Sequence, residues 1–201
     1  MKEYSYEKLL NIRTSGIGVP NSLIHYHPYE PTPYEALEAL FEQYEVYRTD
    51  HYVDFGCGLG RLNFYIHYFY HASVIGVEMN EIFYRKAIKN KKQYAKKLKR
   101  SIDNKLQFIC CKAEEYPISS KDNHFYFFNP FSIHIFQHVV NRILNSVEDH
   151  PREINLILYY PSEEYIFYLE NATNFELLQE VVVPILSNRN ANERFLIYRL
   201  K

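Results

Sequence analysis

Apolar positions along this chain change period repeatedly, and each change marks an element. Ala36, Leu37, Leu40, Phe41 and Tyr44 share one helical face, which predicts a helix opening at Pro33 with Thr32 as its cap. His51–Phe55 then reads as a strand and Leu62–Tyr70 as a helix. Ala72–Val77 is a second strand, Glu81–Arg100 a long helix, Leu106–Cys111 a third strand and Phe125–Phe128 a fourth. Ile133–Val147 is helical again. Ile154–Tyr160 is a fifth strand, apolar at nearly every position, as expected when both faces are covered. Glu163–Leu169 is a further helix. Glu176–Val183 and Phe195–Leu200 close the chain as two strands, separated by the turn-rich segment 187–192. Upstream, residues 1–32 are polar and broken by Gly16, Gly18, Pro20, Pro28 and Pro31, which predicts a short helix followed by an irregular arm.

Strand–helix alternation over most of the chain predicts a three-layer α/β fold with a mostly parallel sheet. The ending differs, because parallel neighbours need a crossover of about a dozen residues. The final two strands therefore read as an antiparallel hairpin that completes a seven-stranded sheet. No repeat, low-complexity tract or linker interrupts the chain, so residues 1–201 read as one domain, with 1–32 as an N-terminal arm or lid and 33–201 as the core.

Composition changes this picture little. The net charge of −1 provides no global attraction to nucleic acid or anionic membrane. Tyrosine and phenylalanine are abundant, at 20 and 14, while Trp is absent; core filling is the reading preferred over base stacking. Cys57, Cys110 and Cys111 make neither a disulfide framework nor a zinc motif and fit a reducing cytoplasm. The first residues contain acids and no apolar signal core. No uncharged apolar run approaches the roughly 18 residues of a membrane helix.

Four segments carry candidate chemistry. In Val53-Asp54-Phe55-Gly56-Cys57-Gly58-Leu59-Gly60 an acid ends a strand and alternating glycines lead into a helix, whose N-terminal amides favour negative charge. The spacing is tighter than the Gly-x-Gly-x-x-Gly of dinucleotide binders. With Asp54 in front, it suits a ligand that lacks a phosphate. Glu78 ends the second strand 18 residues past Gly60, where a carboxylate can accept two ribose hydroxyls. Cys111-Lys112-Ala113-Glu114 follows the third strand, at the place for an adenine edge. Phe128-Asn129-Pro130-Phe131 follows the fourth and offers a polar acceptor, a rigid proline and an aromatic face for a cationic methyl donor.

Together these residues resemble the class I S-adenosylmethionine-dependent methyltransferases over about residues 33–200. The resemblance implies a Rossmann-like methyltransferase fold with S-adenosylmethionine as cofactor. It implies cofactor binding by Asp54, Gly56, Cys57, Gly58, Gly60, Glu78, Met79, Ala113, Glu114 and Asn129, and a catalytic segment Asn129, Pro130 and Phe131. More narrowly, His27-Pro28-Tyr29-Glu30-Pro31-Thr32-Pro33-Tyr34 and Phe127-Phe128-Asn129-Pro130-Phe131-Ser132 look like an uncharacterised bacterial group whose acceptor is unassigned. Two positions depart from the pattern. Lys112 stands where an acid is usual, and the second proline of the amino-methylating Asn-Pro-Pro-aromatic signature is missing.

The implied reaction is in-line displacement at a sulfonium methyl, onto a small molecule or an RNA or protein nitrogen. The protein is expected to be a monomer or homodimer, with no membrane association. A hydroxyl acceptor would need a base, and His25, His27 and His134 are the nearby histidines. His67/His71 and His134/His138 have ligand-like spacing but no third partner, so no metal is expected. Nine of the 16 residues from Arg85 to Arg100 are basic, read as a solvated helix near the adenine edge rather than an RNA surface. The competing readings are a nucleotide-binding oxidoreductase and a non-catalytic module that binds the same donor.

Overall fold

The computed structural model describes residues 2–15, 29–99, 102 and 104–201. Among the described residues there are seven strands: β1 (His51–Phe55), β2 (Ser73–Val77), β3 (Leu106–Ile109), β4 (His124–Phe127), β5 (Asn155–Tyr159), β6 (Phe175–Val182) and β7 (Arg194–Leu200). The helices are α1 (Lys2–Leu10), α2 (Tyr34–Phe41), α3 (Arg61–Phe69), α4 (Glu81–Leu98), α5 (Ile133–Asp149), α6 (Glu163–Ala172) and α7 (Pro184–Ser187). The short α7 lies between the last two strands, where the sequence predicts no helix. Among the described residues no helix is long and apolar enough to cross a membrane.

The strands form one sheet in the order β3-β2-β1-β4-β5-β7-β6. Neighbours from β3 to β5 are parallel, with Asp54 level with Gly76 on one side and Tyr126 on the other. The closing hairpin is antiparallel, but β7 inserts between β5 and β6, so the last strand in sequence is not the edge. Strand order reverses between β1 and β4. That switch point leaves a crevice beyond the carboxyl ends of the strands.

Alternate residues of each strand face opposite layers. Tyr52, Tyr126, Ile157 and Ile197 join a core with α1, α2, α3 and α4. Val53, Phe125, Phe127, Leu156 and Leu158 join another with α5 and α6. Tyrosine fills both cores. Tyr94, Tyr116 and Tyr198 are fully buried, and their hydroxyls meet His67 at 2.7 Å, Asp122 at 2.9 Å and Glu170 at 2.9 Å. These three phenols bring their large apolar area without leaving an unpaired donor, whereas the buried Tyr34 and Tyr52 hydroxyls find no hydrogen-bond partner among the described residues.

The start of α2 differs from expectation. Pro33 occupies the N-cap position, which puts Thr32 one residue too far back to reach the first free amides. Glu3 of α1 accepts from Tyr34 N at 3.0 Å instead, and Thr32 Oγ1 lies 2.7 Å from the Tyr126 hydroxyl. The polar N-terminal segment is tied into the molecule in the same way, with Leu10 and Ile12 buried in the core.

Candidate functional site

A cavity of about 170 Å3 opens at the switch point. Asp54, Gly56 and Cys57 after β1, Glu78 and Met79 after β2, Ala113 after β3, and Pro130 and Phe131 after β4 all line it. Four strand ends that are distant in sequence therefore meet, because parallel strands present their carboxyl ends on one edge of the sheet. Gly58, Gly60, Glu114 and Asn129 stand outside the lining.

The glycine loop is stitched to the neighbouring strand end. Gly56 N and Cys57 N both donate to Val77 O, at 2.9 and 3.1 Å. Gly58 N donates to Glu78 Oε2 at 2.9 Å, and Asn80 N to Glu78 Oε1 at 2.7 Å. Gly58 has φ +53°, and a Cβ there would lie 2.1 Å from Cε2 of Tyr29, so the phenol ring rests directly on the peptide. Gly60, at φ +86°, serves packing: its Cβ would lie 2.6 Å from Phe108 Cζ.

Both acids are buried. Burial pushes the Asp54 carboxyl well above the usual carboxylate range, and the nearby Glu78 charge pushes it further. Burial also raises Glu78, against the opposing pull of its backbone hydrogen bonds. With the Asn63 amide turned so that its nitrogen faces the carboxylate, Nδ2 donates to Asp54 Oδ2 at 2.9 Å and Oδ1 accepts from Gly76 N at 3.3 Å. The Cys57 thiol is buried and pushed up, first by burial and then by the two acids, so it stays unreactive.

On the third and fourth strands the outcome is mixed. Glu114 falls in a short 3-10 turn with its carbonyl accepting from Arg142. Asn129 has φ +39° and bends the chain so that Phe128 and Pro130 reach the cavity on either side of it. Of the histidines, His134 and His138 are exposed on α5, and His25 and His27 lie outside the described residues. His71 is past the end of α3 at φ +58°, so it does not share a helix face with His67. Among the described residues no group of three potential metal ligands gathers.

Sequence reading missed Arg61. It is the first residue of α3, where a cation opposes the helix dipole, and that misplacement was the available signal. The side chain is buried and lines the cavity. Nε donates to Thr14 Oγ1 at 2.8 Å, Nη1 to Thr32 O at 3.1 Å and Nη2 to Ser15 Oγ at 2.7 Å. Glu3 and Glu7 lie 2.5 and 3.6 Å from the guanidinium, which covers the Tyr34 ring at 4.5 Å. One side chain thus anchors the N-terminal segment to the glycine loop and places Tyr29, Glu30, Pro31 and Thr32 over the cavity.

Comparison with family sequence profiles and with curated protein sequences gives no match. Comparison of folds does. A Pyrococcus horikoshii protein proposed to be an RNA methyltransferase aligns with a TM-score of 0.61 at 15% identity, over 98% of this chain and 96% of its own. This chain has the Rossmann-like methyltransferase fold. A human methyltransferase 10 domain containing protein aligns at 0.60 and 9% identity, over 98% and 93% of the two chains. An RNA methyltransferase from Salinibacter ruber, in complex with S-adenosyl-L-homocysteine, aligns at 0.56 and 16% identity over 85% and 92%. In this methyltransferase fold the cavity lies at the switch point of the sheet, where open α/β sheets take their ligands.

Proposed function

We propose that the chain transfers a methyl group from S-adenosylmethionine to a nucleophilic acceptor. The observation that carries this reading is the pair of buried carboxylates, Asp54 and Glu78, at one cavity beside the glycine loop. Two acids held out of water and repelling each other favour a cationic ligand. The donor has sulfonium and ammonium charges, whereas a dinucleotide would bring its diphosphate toward Asp54. The Salinibacter neighbour, bound to the demethylated donor, supports the same ligand.

The residues present fit this donor. Asp54 would hold the ammonium end. Glu78 would accept the ribose hydroxyls with the lone pairs that Gly58 and Asn80 leave over. Met79 and Ala113, with Glu114 behind them, would enclose the adenine. Gly56, Cys57 and Gly58 would give the donor a path along bare backbone, and Gly60 would set the turn into α3. The cavity is smaller than the roughly 300 Å3 at which ligand pockets begin, and the Tyr29 ring, packed on Gly58, forms part of its wall. On this reading the ring would swing aside as the donor binds.

The bound donor supplies a methyl carbon that an acceptor lone pair attacks in line as the carbon–sulfur bond breaks. Asn129 and Pro130 would hold the acceptor, with the Phe131 ring set against the cationic centre. The segment over the cavity excludes water from the reacting groups. Methyl transfer to nitrogen, the chemistry nearest to Asn-Pro-Phe, needs no dedicated base when the amine arrives neutral.

Calorimetry with S-adenosylmethionine and NADH in parallel tests the ligand, and binding of the first alone is expected. Labelled donor is then incubated with cell extract, which is separated into RNA, protein and small molecules. Label in one fraction supports catalysis and names the acceptor class. Donor binding with no label anywhere would leave the non-catalytic reading in its place, and NADH binding would refute both.

A further inference from the structure

The face formed by α1, residues 11–15 and α4 holds an open groove of about 1020 Å3. The sequence predicts a solvated basic helix here. A lone helix has one wall, and the fold supplies the other. Lys97 Nζ donates to Lys8 O and Leu9 O at 2.9 and 2.6 Å, which pins the end of α1 to α4. Asn11 Nδ2 donates to Gln93 O at 2.9 Å. Asn90 accepts from Arg13 N and donates to Arg13 O, both at 3.0 Å. Lys8 and Arg13 are thereby brought to the same groove as Lys86, Lys89 and Lys96.

Among the described residues, none of these five cations has a carboxylate within ion-pair distance. The one acid lining the groove among the described residues, Glu7, is occupied by Thr14 and Ser15, which donate to it at 2.7–3.0 Å. A chain of net charge −1 has therefore concentrated unpaired positive charge in one concavity.

We propose that this groove binds single-stranded RNA, the strand that carries the methyl acceptor. The span from Lys86 to Lys97 covers about 16 Å of helix, a length that matches a repeating anion better than a single phosphate. Tyr4 lines the groove and is 72% exposed, so its ring is available for a base to stack on. An acidic peptide has no such use for a bare aromatic face, and a membrane surface would not enter a concave wall. The groove also abuts the cavity. Ser15, on the groove, accepts from Arg61, on the cavity, and Asn90 Nδ2 donates to Leu59 O in the glycine loop at 3.1 Å. The acceptor role rests on the methyltransferase reading; RNA binding does not.

Anisotropy of a fluorescein-labelled single-stranded RNA of about 20 nucleotides, followed from about 50 to 200 mM salt, tests the groove. Five phosphate contacts predict a slope of log affinity against log salt near −3.5, at about 0.7 per contact on a single strand. Lys86→Ala/Lys89→Ala/Lys96→Ala should flatten that slope by about 2. Tyr4→Ala should weaken binding by roughly tenfold with the slope unchanged. Arg48→Ala/Lys121→Ala/Arg189→Ala removes the same charge elsewhere and should change the slope little. Equal effects from the two triple variants would overturn the proposal, as would stronger binding to polyglutamate or phosphatidylserine vesicles than to RNA. Donor calorimetry on the same proteins separates the two ideas. Donor binding without RNA binding overturns the groove alone, and RNA binding without donor binding overturns the methyltransferase reading alone.

Discussion

Replacing Arg61 with Met should release the N-terminal segment while keeping most of the apolar stem in place. The native guanidinium is 4% exposed and donates three hydrogen bonds, to Thr14, Ser15 and Thr32. Each charged hydrogen bond contributes roughly 1.5–3 kcal/mol in isolation, but three on one side chain do not add. The Glu3 carboxylate is 45% exposed, so its share is screened to at most about 1 kcal/mol. Glu7 keeps its bonds from Thr14 and Ser15 and is not stranded by the change. Breaking a buried pair costs about 3–5 kcal/mol, and the exposed Glu3 argues for the lower end, about 3. For a chain of this size that lowers Tm by roughly 6–12 °C. Arg61→Lys should fall between, because one ammonium cannot span the three acceptors. Urea unfolding gives the magnitude, and hydrogen exchange of α1 shows where stability is lost. A Met variant within about 1 kcal/mol of the wild type, or unchanged protection of α1, would refute the anchoring role.

Two other changes test the cavity. The Asp54 carboxyl is raised in the folded protein, so above the usual value of 3.8 the folded state keeps a proton that the unfolded state has lost. Stability should therefore fall as pH rises from about 3.8 through the raised value, and Asp54→Asn should be the more stable protein at neutral pH while binding the donor more weakly. Melting curves from pH 4 to 8 with and without donor check this; a variant no more stable than wild type at pH 8 would mean the acid is not strained by burial. Gly58→Ala combines φ +53° with a 2.1 Å approach to Tyr29 and should cost about 1–3 kcal/mol. Adding Tyr29→Ala should relieve the clash but not the backbone strain, and Tyr29→Ala alone should speed donor association, read by stopped-flow fluorescence. Full recovery in the double variant, or an unchanged association rate in the single one, would contradict this account.

The parts legible in the chain are those whose cause is local. Alternating and helical periods depend on neighbours a few residues apart, so the strands, the longer helices and their order follow from the pattern, with ends displaced by up to three residues. Gly56 and the acids Asp54 and Glu78 were legible at the cavity for the same reason: each is tied to a single strand end, and parallel strands deliver all such ends to one edge; Gly58 and Gly60 fall outside the lining. Glu114 and Asn129 show the limit of that argument. A strand end specifies a neighbourhood, and the turn that follows selects which side chain enters it; here Ala113, Pro130 and Phe131 line the cavity instead.

Packing between distant segments supplied the rest. The pairing of β7 between β5 and β6 depends on which strand faces match across the sheet, information no single segment contains. Arg61 bonds to residues 29 to 47 positions earlier in the chain, and its N-terminal helix position looks unfavourable until those partners surround it. Glu3 displaces Thr32 as the donor-satisfying group for α2 only because α1 docks there. The basic run of α4 is a solvated face in the sequence and one wall of a groove in the fold, since charge acts through distance in space and α1 closes that distance.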